Sequence, residues 1–135
     1  MIFIGLNGAK KKLKTPTRYL IDWDEKSRSK IQRKVKLLLQ PFWMYDIVFE
    51  EMPLVGSRMT FDFYNSNKRI ALEVDGNQHY NYNKFFHAGN RQKFFQQIDR
   101  DDKKEVFCQT NNIKLIRIFE KEEINQALLE KLELI

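Results

Sequence analysis

After Ser29 the apolar residues Ile31, Val35, Leu38 and Leu39 recur at three- and four-residue spacing, while Lys30, Arg33, Lys34 and Lys36 mostly face elsewhere. That period marks one face of a helix. Ser29-Lys-Ile-Gln32 has the capping-box form, in which the serine hydroxyl takes an orphan amide and the glutamine side chain returns to the serine amide. Pro41 is expected to stop this helix at about Gln40, because it has no amide to donate and crowds the preceding turn. The pattern then changes to short runs at 46–52, 59–64 and 69–75 that read as strands. Asn65-Ser-Asn-Lys68 is a turn cluster, so the second and third runs form a hairpin. Residues 77–90 are polar and aromatic and read as a loop. A long helix is expected at about 91–110, with Asn111-Asn112 as its stop. Residues 114–119 then read as a fourth strand and 122–134 as a closing amphipathic helix.

The predicted order is α-β-β-β-α-β-α, an α/β chain with a central mixed sheet flanked by helices. There is no internal repeat and no second domain. Residues 29–135 form the domain, and 1–28 a basic lead-in in which Gly5, Gly8 and Pro16 favour no long regular element.

Composition narrows the class. At 135 residues and 16.3 kDa, with 42% hydrophobic and 31% charged residues, the chain suits one soluble globular domain. No apolar run approaches the roughly 20 residues that span a bilayer, and the opening MIFIGLNG does not read as a secretory signal. With Cys108 alone, no intramolecular disulfide and no Cys₄ or Cys₂His₂ zinc site is possible, so a reducing interior is expected. Charge is unevenly placed. Residues 10–36 carry eleven basic and three acidic side chains, a net of +8 within a chain of net +6. Such a segment is the electrostatic footprint of a nucleic-acid binder; a solvated basic face, or one attracted to an anionic membrane, is the alternative.

The hairpin carries the candidate chemistry. If Tyr64 pairs with Arg69, Asp62 lies opposite Ala71 and diagonal to Glu73, within roughly 7–8 Å. Asp75 shares Glu73's face, while Phe61, Phe63, Leu72 and Val74 turn to the core. Three carboxylates on one face repel, and a divalent cation relieves that repulsion. Two carboxylates and a carbonyl suit Mg²⁺. Asp75-Gly-Asn-Gln-His79 then brings a histidine back toward the acids, where it would act as general base or acid. Beyond it, Tyr80, Tyr82, Phe85, Phe86, Arg91, Lys93, Phe94 and Phe95 interleave aromatic and basic side chains, a surface that would stack bases or wedge into a groove. Packing in the core is the competing role, above all for Phe94 and Phe95. Cys108 reads as a small buried hydrophobe.

Asp62-Phe-Tyr, then Ile70-Ala-Leu-Glu73-Val-Asp75-Gly-Asn-Gln-His79, then Asp101 and Lys104, then Leu115-Ile-Arg117-Ile, resembles the PD-(D/E)xK nuclease superfamily. Within it the resemblance is to the branch of very-short-patch repair endonucleases and EDxHD homing endonucleases of phages and mobile elements. It covers about 29–119, and Glu73-Val-Asp-Gly-x-x-His79 is its most specific part. The resemblance implies a restriction-endonuclease-like domain and a metal-dependent DNA endonuclease, as monomer or homodimer, in the cytoplasm of a bacterial or phage-infected cell. It implies Mg²⁺, with Mn²⁺ as a substitute, no organic cofactor and no membrane. Asp62 and Glu73 match the metal-binding acids, with the main-chain carbonyl of Val74. Asp75 stands where many relatives have the motif's lysine. His79 and a helix aspartate take over part of that work, Asp101 fitting best beside Asp99 and Asp102. Gln32 occupies the position of the family's first-helix glutamate and brings no charge. Lys30, Arg33 and Lys34, the lead-in residues Lys11, Lys12 and Lys14, and Tyr80, Tyr82 and Arg91 are the expected DNA contacts. The alternatives are an inactive nuclease-fold DNA-binding module, or a nuclease acting on RNA or branched DNA.

Overall fold

The computed structural model describes residues 1–75 and 91–135, without the side chains of 91–95, 97 and 98. A two-stranded hairpin, β1 (Ile2–Ile4) and β2 (Lys10–Lys12), leads into a 3₁₀ turn at Pro16–Tyr19 and helix α1 (Lys30–Trp43). Strands β3 (Val48–Pro53), β4 (Thr60–Asn65) and β5 (Ile70–Asp75) follow, then helix α2 (Arg91–Thr110), β6 (Lys114–Phe119) and α3 (Gln126–Lys131). The main sheet has the order β3-β4-β5-β6, antiparallel except for the parallel pair β5–β6. A parallel neighbour requires a crossover, and α2 lies within it. This is the small α/β domain with a mixed sheet flanked by helices that the sequence pattern predicts.

Both faces of the sheet are covered, which is why β5 reads Ile-Ala-Leu-Glu-Val with no clean alternation. On one face Val35, Leu39 and Trp43 of α1, with Leu129 of α3, pack on Phe63, Leu72, Val74, Ile116 and Ile118. On the other, Phe107 and Cys108 of α2, with Phe3 and Leu13, pack on Phe49, Met52, Phe61, Tyr64 and Ala71. Each large apolar side chain so buried contributes about 1.5–3 kcal/mol. Burial pushes the Cys108 thiol up to about 12, in keeping with an inert core residue.

The basic lead-in is part of this packing. Phe3 and Leu13 are buried, Ile21 N–H donates to Val48 O at 3.0 Å, and the Asn111 side-chain amide bonds both the N–H and the C=O of Ile4. Asn111 thereby treats the hairpin edge as a neighbouring strand would, while Asn112 at φ 55 ends α2 as its position predicts.

The strands fall within two residues of expectation, and the helix ends differ more: the closing helix spans only Gln126–Lys131. Pro41 does not stop α1, which runs to Trp43. So near the end, proline costs one ladder bond, and in exchange Trp43 is fully buried with its Nε1–H donating to Leu134 O at 2.8 Å. The closing helix begins only after Asn125, whose side chain accepts from Leu128 N–H at 2.9 Å. Glu122 lies outside it and caps Phe119 N–H instead.

Candidate active site

The chemistry gathers where β4 and β5 part. Asn65 is the last residue of β4 and pairs with Ile70, one position later on each strand than expected. Its side chain explains the shift. Asn65 Oδ1 accepts from Lys68 N–H at 3.0 Å, Nδ2 donates to Asp46 at 2.9 Å, and Arg69 takes the left-handed φ of 54 that closes the turn. With Tyr64 opposite Ala71 and Phe63 opposite Leu72, Asp62 falls across from Glu73 rather than diagonal to it. The backbone pairing stops at Phe63–Leu72, and side chains take over. Asp62 Oδ2 accepts from Val74 N–H at 2.7 Å, and Glu73 Oε2 accepts from Asp62 N–H at 3.4 Å.

Both carboxyls are almost fully buried. Burial first, and the adjacent Glu73 second, push the Asp62 carboxyl up from an ordinary 3.8 to about 8. Two cations answer this charge. Lys104 of α2 bonds Glu73 Oε1, and Arg28 reaches Asp62 Oδ1 at 3.4 Å and Glu51 Oε2 at 3.8 Å. A cavity of about 350 Å³ opens over the pair, lined by the acids Asp62, Glu73 and Asp75 and the bases Arg28, Arg58, Arg100 and Lys104.

A second polar cluster lies under α1. Glu51 at φ 55 is in the left-handed region, and it breaks the alternation of β3. Val48 packs in the cluster under α1, yet Met52, four residues on, joins the opposite cluster with its β4 partner Phe61. Glu50 and Glu51 consequently both meet Gln32, whose Nε2 donates to them at 3.0 and 3.1 Å. Ser29 Oγ does cap Gln32 N–H at 3.2 Å, but the glutamine side chain does not complete the box, because these carboxylates hold it. Fully buried Lys36 bonds Glu50 Oε1 at 2.8 Å and Glu25 O at 3.0 Å.

The expected site residues therefore divide. Asp62, Glu73, Val74 and Asp75 come together. Asp101 is buried on α2 with its carboxylate 3.7 Å from Arg117, whereas Asp99 is exposed beside Lys103 and Asp102 is exposed. Arg33 donates to Trp23 O and Glu25 O, both at 2.8 Å, so it clamps the lead-in to α1. Lys30 and Lys34 line a separate groove opposite Glu120, Glu122 and Glu123. Lys12 and Lys14 are exposed on and just after β2, and Lys11 is partly covered. His79, Tyr80 and Tyr82 lie outside the described residues, as does the side chain of Arg91. Sequence reasoning gave no role to Arg28, Arg58, Arg100, Glu50 or Glu51, and quoted Lys104 without one. The only available signal was the three-residue spacing from Asp101 to Lys104, which places both on one helix face.

Asp62, Glu73 and the Val74 carbonyl offer hard oxygen donors of the kind Mg²⁺ takes, and the opposed buried carboxyls create the like-charge pressure that a divalent ion relieves. Among the described residues no three His, Cys, Asp or Glu side chains gather as a ligand set. Two carboxylates with water completing the shell is a usual arrangement for Mg²⁺, so the residues fit that ion. Among the described residues no helix is long and apolar enough to cross a membrane.

No family model and no solved structure matches the chain. Over 66 residues it is 39% identical to uncharacterized protein 094L of Frog virus 3 (isolate Goorha), covering 49% of this chain and 43% of that protein. Over 78 residues it is 32% identical to uncharacterized protein 033L of Invertebrate iridescent virus 3, covering 58% and 40%. The chain thus spans less than half the length of the curated viral proteins it matches.

Proposed function

We propose that this protein is a metal-dependent nuclease that hydrolyses phosphodiester bonds in DNA within an infected cell. The observation that carries the reading is the buried Asp62–Glu73 pair at the parting of β4 and β5, with Lys104 on Glu73, at the floor of a cavity whose rim is cationic. Asp62, Glu73 and the Val74 carbonyl would hold Mg²⁺, which when bound supplies Lewis acidity and a water of lowered pKa. Lys104 keeps positive charge beside Glu73, in the position that an absent motif lysine at Asp75 leaves to another residue. The guanidinium groups of Arg28 and Arg58 offer forked donors to non-bridging phosphate oxygens. Asp75, also on the cavity wall, orders water near the reacting phosphate. In this reading His79 carries the proton to or from the scissile oxygen, and Asp101, held by Arg117, is the helix aspartate.

A second reading, an inactive DNA-binding module, draws on one observation: Arg28 and Lys104 already pair with both carboxylates. Cleavage separates the two. Supercoiled plasmid incubated with Mg²⁺, Mn²⁺ or EDTA is expected to be nicked or linearised only with metal, and Glu73→Gln is expected to abolish it. Metal-independent cutting, or cutting by Glu73→Gln at the wild-type rate, would sink the nuclease reading. No cutting alongside salt-sensitive DNA binding would support the inactive module.

A further inference from the structure

The cavity over the carboxylates is lined by four basic and three acidic side chains, so its rim keeps a net positive charge before any metal enters. Arg58 belongs to the turn between β3 and β4. That turn is fixed by Leu54 N–H to Met59 O and Ser57 N–H to Leu54 O, each 2.9 Å, and by Met59 N–H to Ser57 Oγ at 3.1 Å. Arg58 is therefore presented from a rigid loop. Its neighbour Gly56 has φ +87 and touches the β1–β2 hairpin directly: a Cβ placed on it would lie 2.7 Å from Lys11 Nζ and 3.1 Å from Lys11 Cδ. The ammonium of Lys11 is thus delivered to the loop that carries Arg58. Arg100 of α2 stands on the same cavity wall, and its residue is exposed.

We infer that Lys11, Arg58 and Arg100 form the tract that tracks the sugar-phosphate backbone of DNA into the cavity, in place of the α1 basic residues. The inference rests on the proposed nuclease reading and specifies where its substrate lies. The α1 set is otherwise engaged: Arg33 is bound to two main-chain carbonyls, and Lys30 and Lys34 face three glutamates across their own groove. A polyanion approaching that groove meets carboxylates. One approaching Arg58 meets cations and an open cavity of about 350 Å³. Forked guanidinium donors and a point-charged ammonium are the chemistry that holds backbone phosphates without reading base sequence.

The experiment measures binding of the full chain to a fluorescent DNA duplex by anisotropy across a salt series, in EDTA. Each phosphate contact contributes a slope of about −0.9 to the dependence of log K on log salt. Lys11→Ala/Arg58→Ala/Arg100→Ala is expected to flatten the slope by roughly 2.7, and Lys30→Ala/Lys34→Ala to leave it unchanged. A charge-retaining control, Arg58→Lys/Arg100→Lys, should keep the slope, which separates lost contacts from lost folding. An unchanged slope in the triple alanine variant, or a flattened one in Lys30→Ala/Lys34→Ala, overturns the tract. Wild-type plasmid cleavage in that case leaves the nuclease standing and only the tract refuted. A flattened slope without cleavage does the reverse.

Discussion

Two lysine–glutamate pairs sit on opposite faces of this sheet, and they differ in what surrounds them. Lys36 under α1 is fully buried, and its ammonium meets Glu50 and a main-chain carbonyl. Glu50 in turn also accepts from Ser27 and Gln32, so the cluster is closed and its charges are matched by hydrogen bonds. Lys104 meets Glu73 at the wall of an open cavity, beside a second buried carboxyl whose pKa is pushed up to about 8. The same two residue types therefore serve differently. A pair whose partners are complete stabilises the fold, whereas a pair beside a second buried carboxyl and an opening to solvent is equipped to take a ligand.

The largest expected break in this comparison is Lys36→Ala. Removing one partner of a buried pair leaves Glu50 uncompensated, at a cost of about 3–5 kcal/mol. Urea unfolding should show that loss; a change below about 1 kcal/mol would mean Lys36 carries no more weight than a surface pair. Asp62→Asn should act in the opposite direction. Asp62 binds its proton up to about pH 8 when folded, against an ordinary value of 3.8, so between those limits only the unfolded state has released it. Stability of the metal-free wild type contributed by this group is thus full below about 3.8, falls as pH rises, and levels off above about 8. The Asp62→Asn variant carries an amide there, with nothing to titrate. Its melting temperature should exceed that of the wild type at pH 8, by a margin that shrinks toward pH 4. A margin equal at both pH values would show that Asp62 is not held protonated.

Much of the frame was legible because it depends on local rules. The apolar period after Ser29, the aromatic strand runs and the Asn111-Asn112 stop each determine an element without reference to the rest of the chain. The hairpin register was not, because Asn65 ends its strand through bonds to Asp46 and Lys68, one of them nineteen residues away. Asp62 and Glu73 were found since a shift of one residue on each strand keeps them side by side, although Phe61, expected on the face of Phe63, packs in the opposite cluster. Arg28, Arg58 and Arg100 went unassigned for the opposite reason. They come from a loop, a turn and a helix, and only the packed sheet brings them to one cavity. Glu51 was hidden by a backbone angle that no pattern of side chains announces.

Lys104→Ala tests the open pair. Its partner Glu73 is almost fully buried, so losing Lys104 should also cost stability, while plasmid cleavage by the folded variant should fall about a hundredfold or more, the usual effect of deleting one charge-stabilising donor. Lys104→Arg, retaining charge with a different fork, should recover part of the rate. Cleavage unchanged in Lys104→Ala would return the lysine to a purely structural role and leave the two pairs alike.

Gln32→Glu sharpens the comparison from the closed side. Judged by the family resemblance, this change restores an acid and should favour activity. The structure argues otherwise, because Gln32 Nε2 is a donor to both Glu50 and Glu51, and a carboxylate there has no proton to give. Two hydrogen bonds would become contacts between like charges. Since Glu50 and Glu51 are not fully buried, the loss is expected to be modest, about 1–2 kcal/mol. Gln32 also helps hold Glu51, which lies within reach of Arg28 and adds to the negative field on Asp62. A released Glu51 would weaken that field, so metal-dependent cleavage should fall together with stability. A Gln32→Glu variant as stable as the wild type and faster in cleavage would reverse this assignment, and would place Gln32 in the open site rather than in the closed cluster beneath α1.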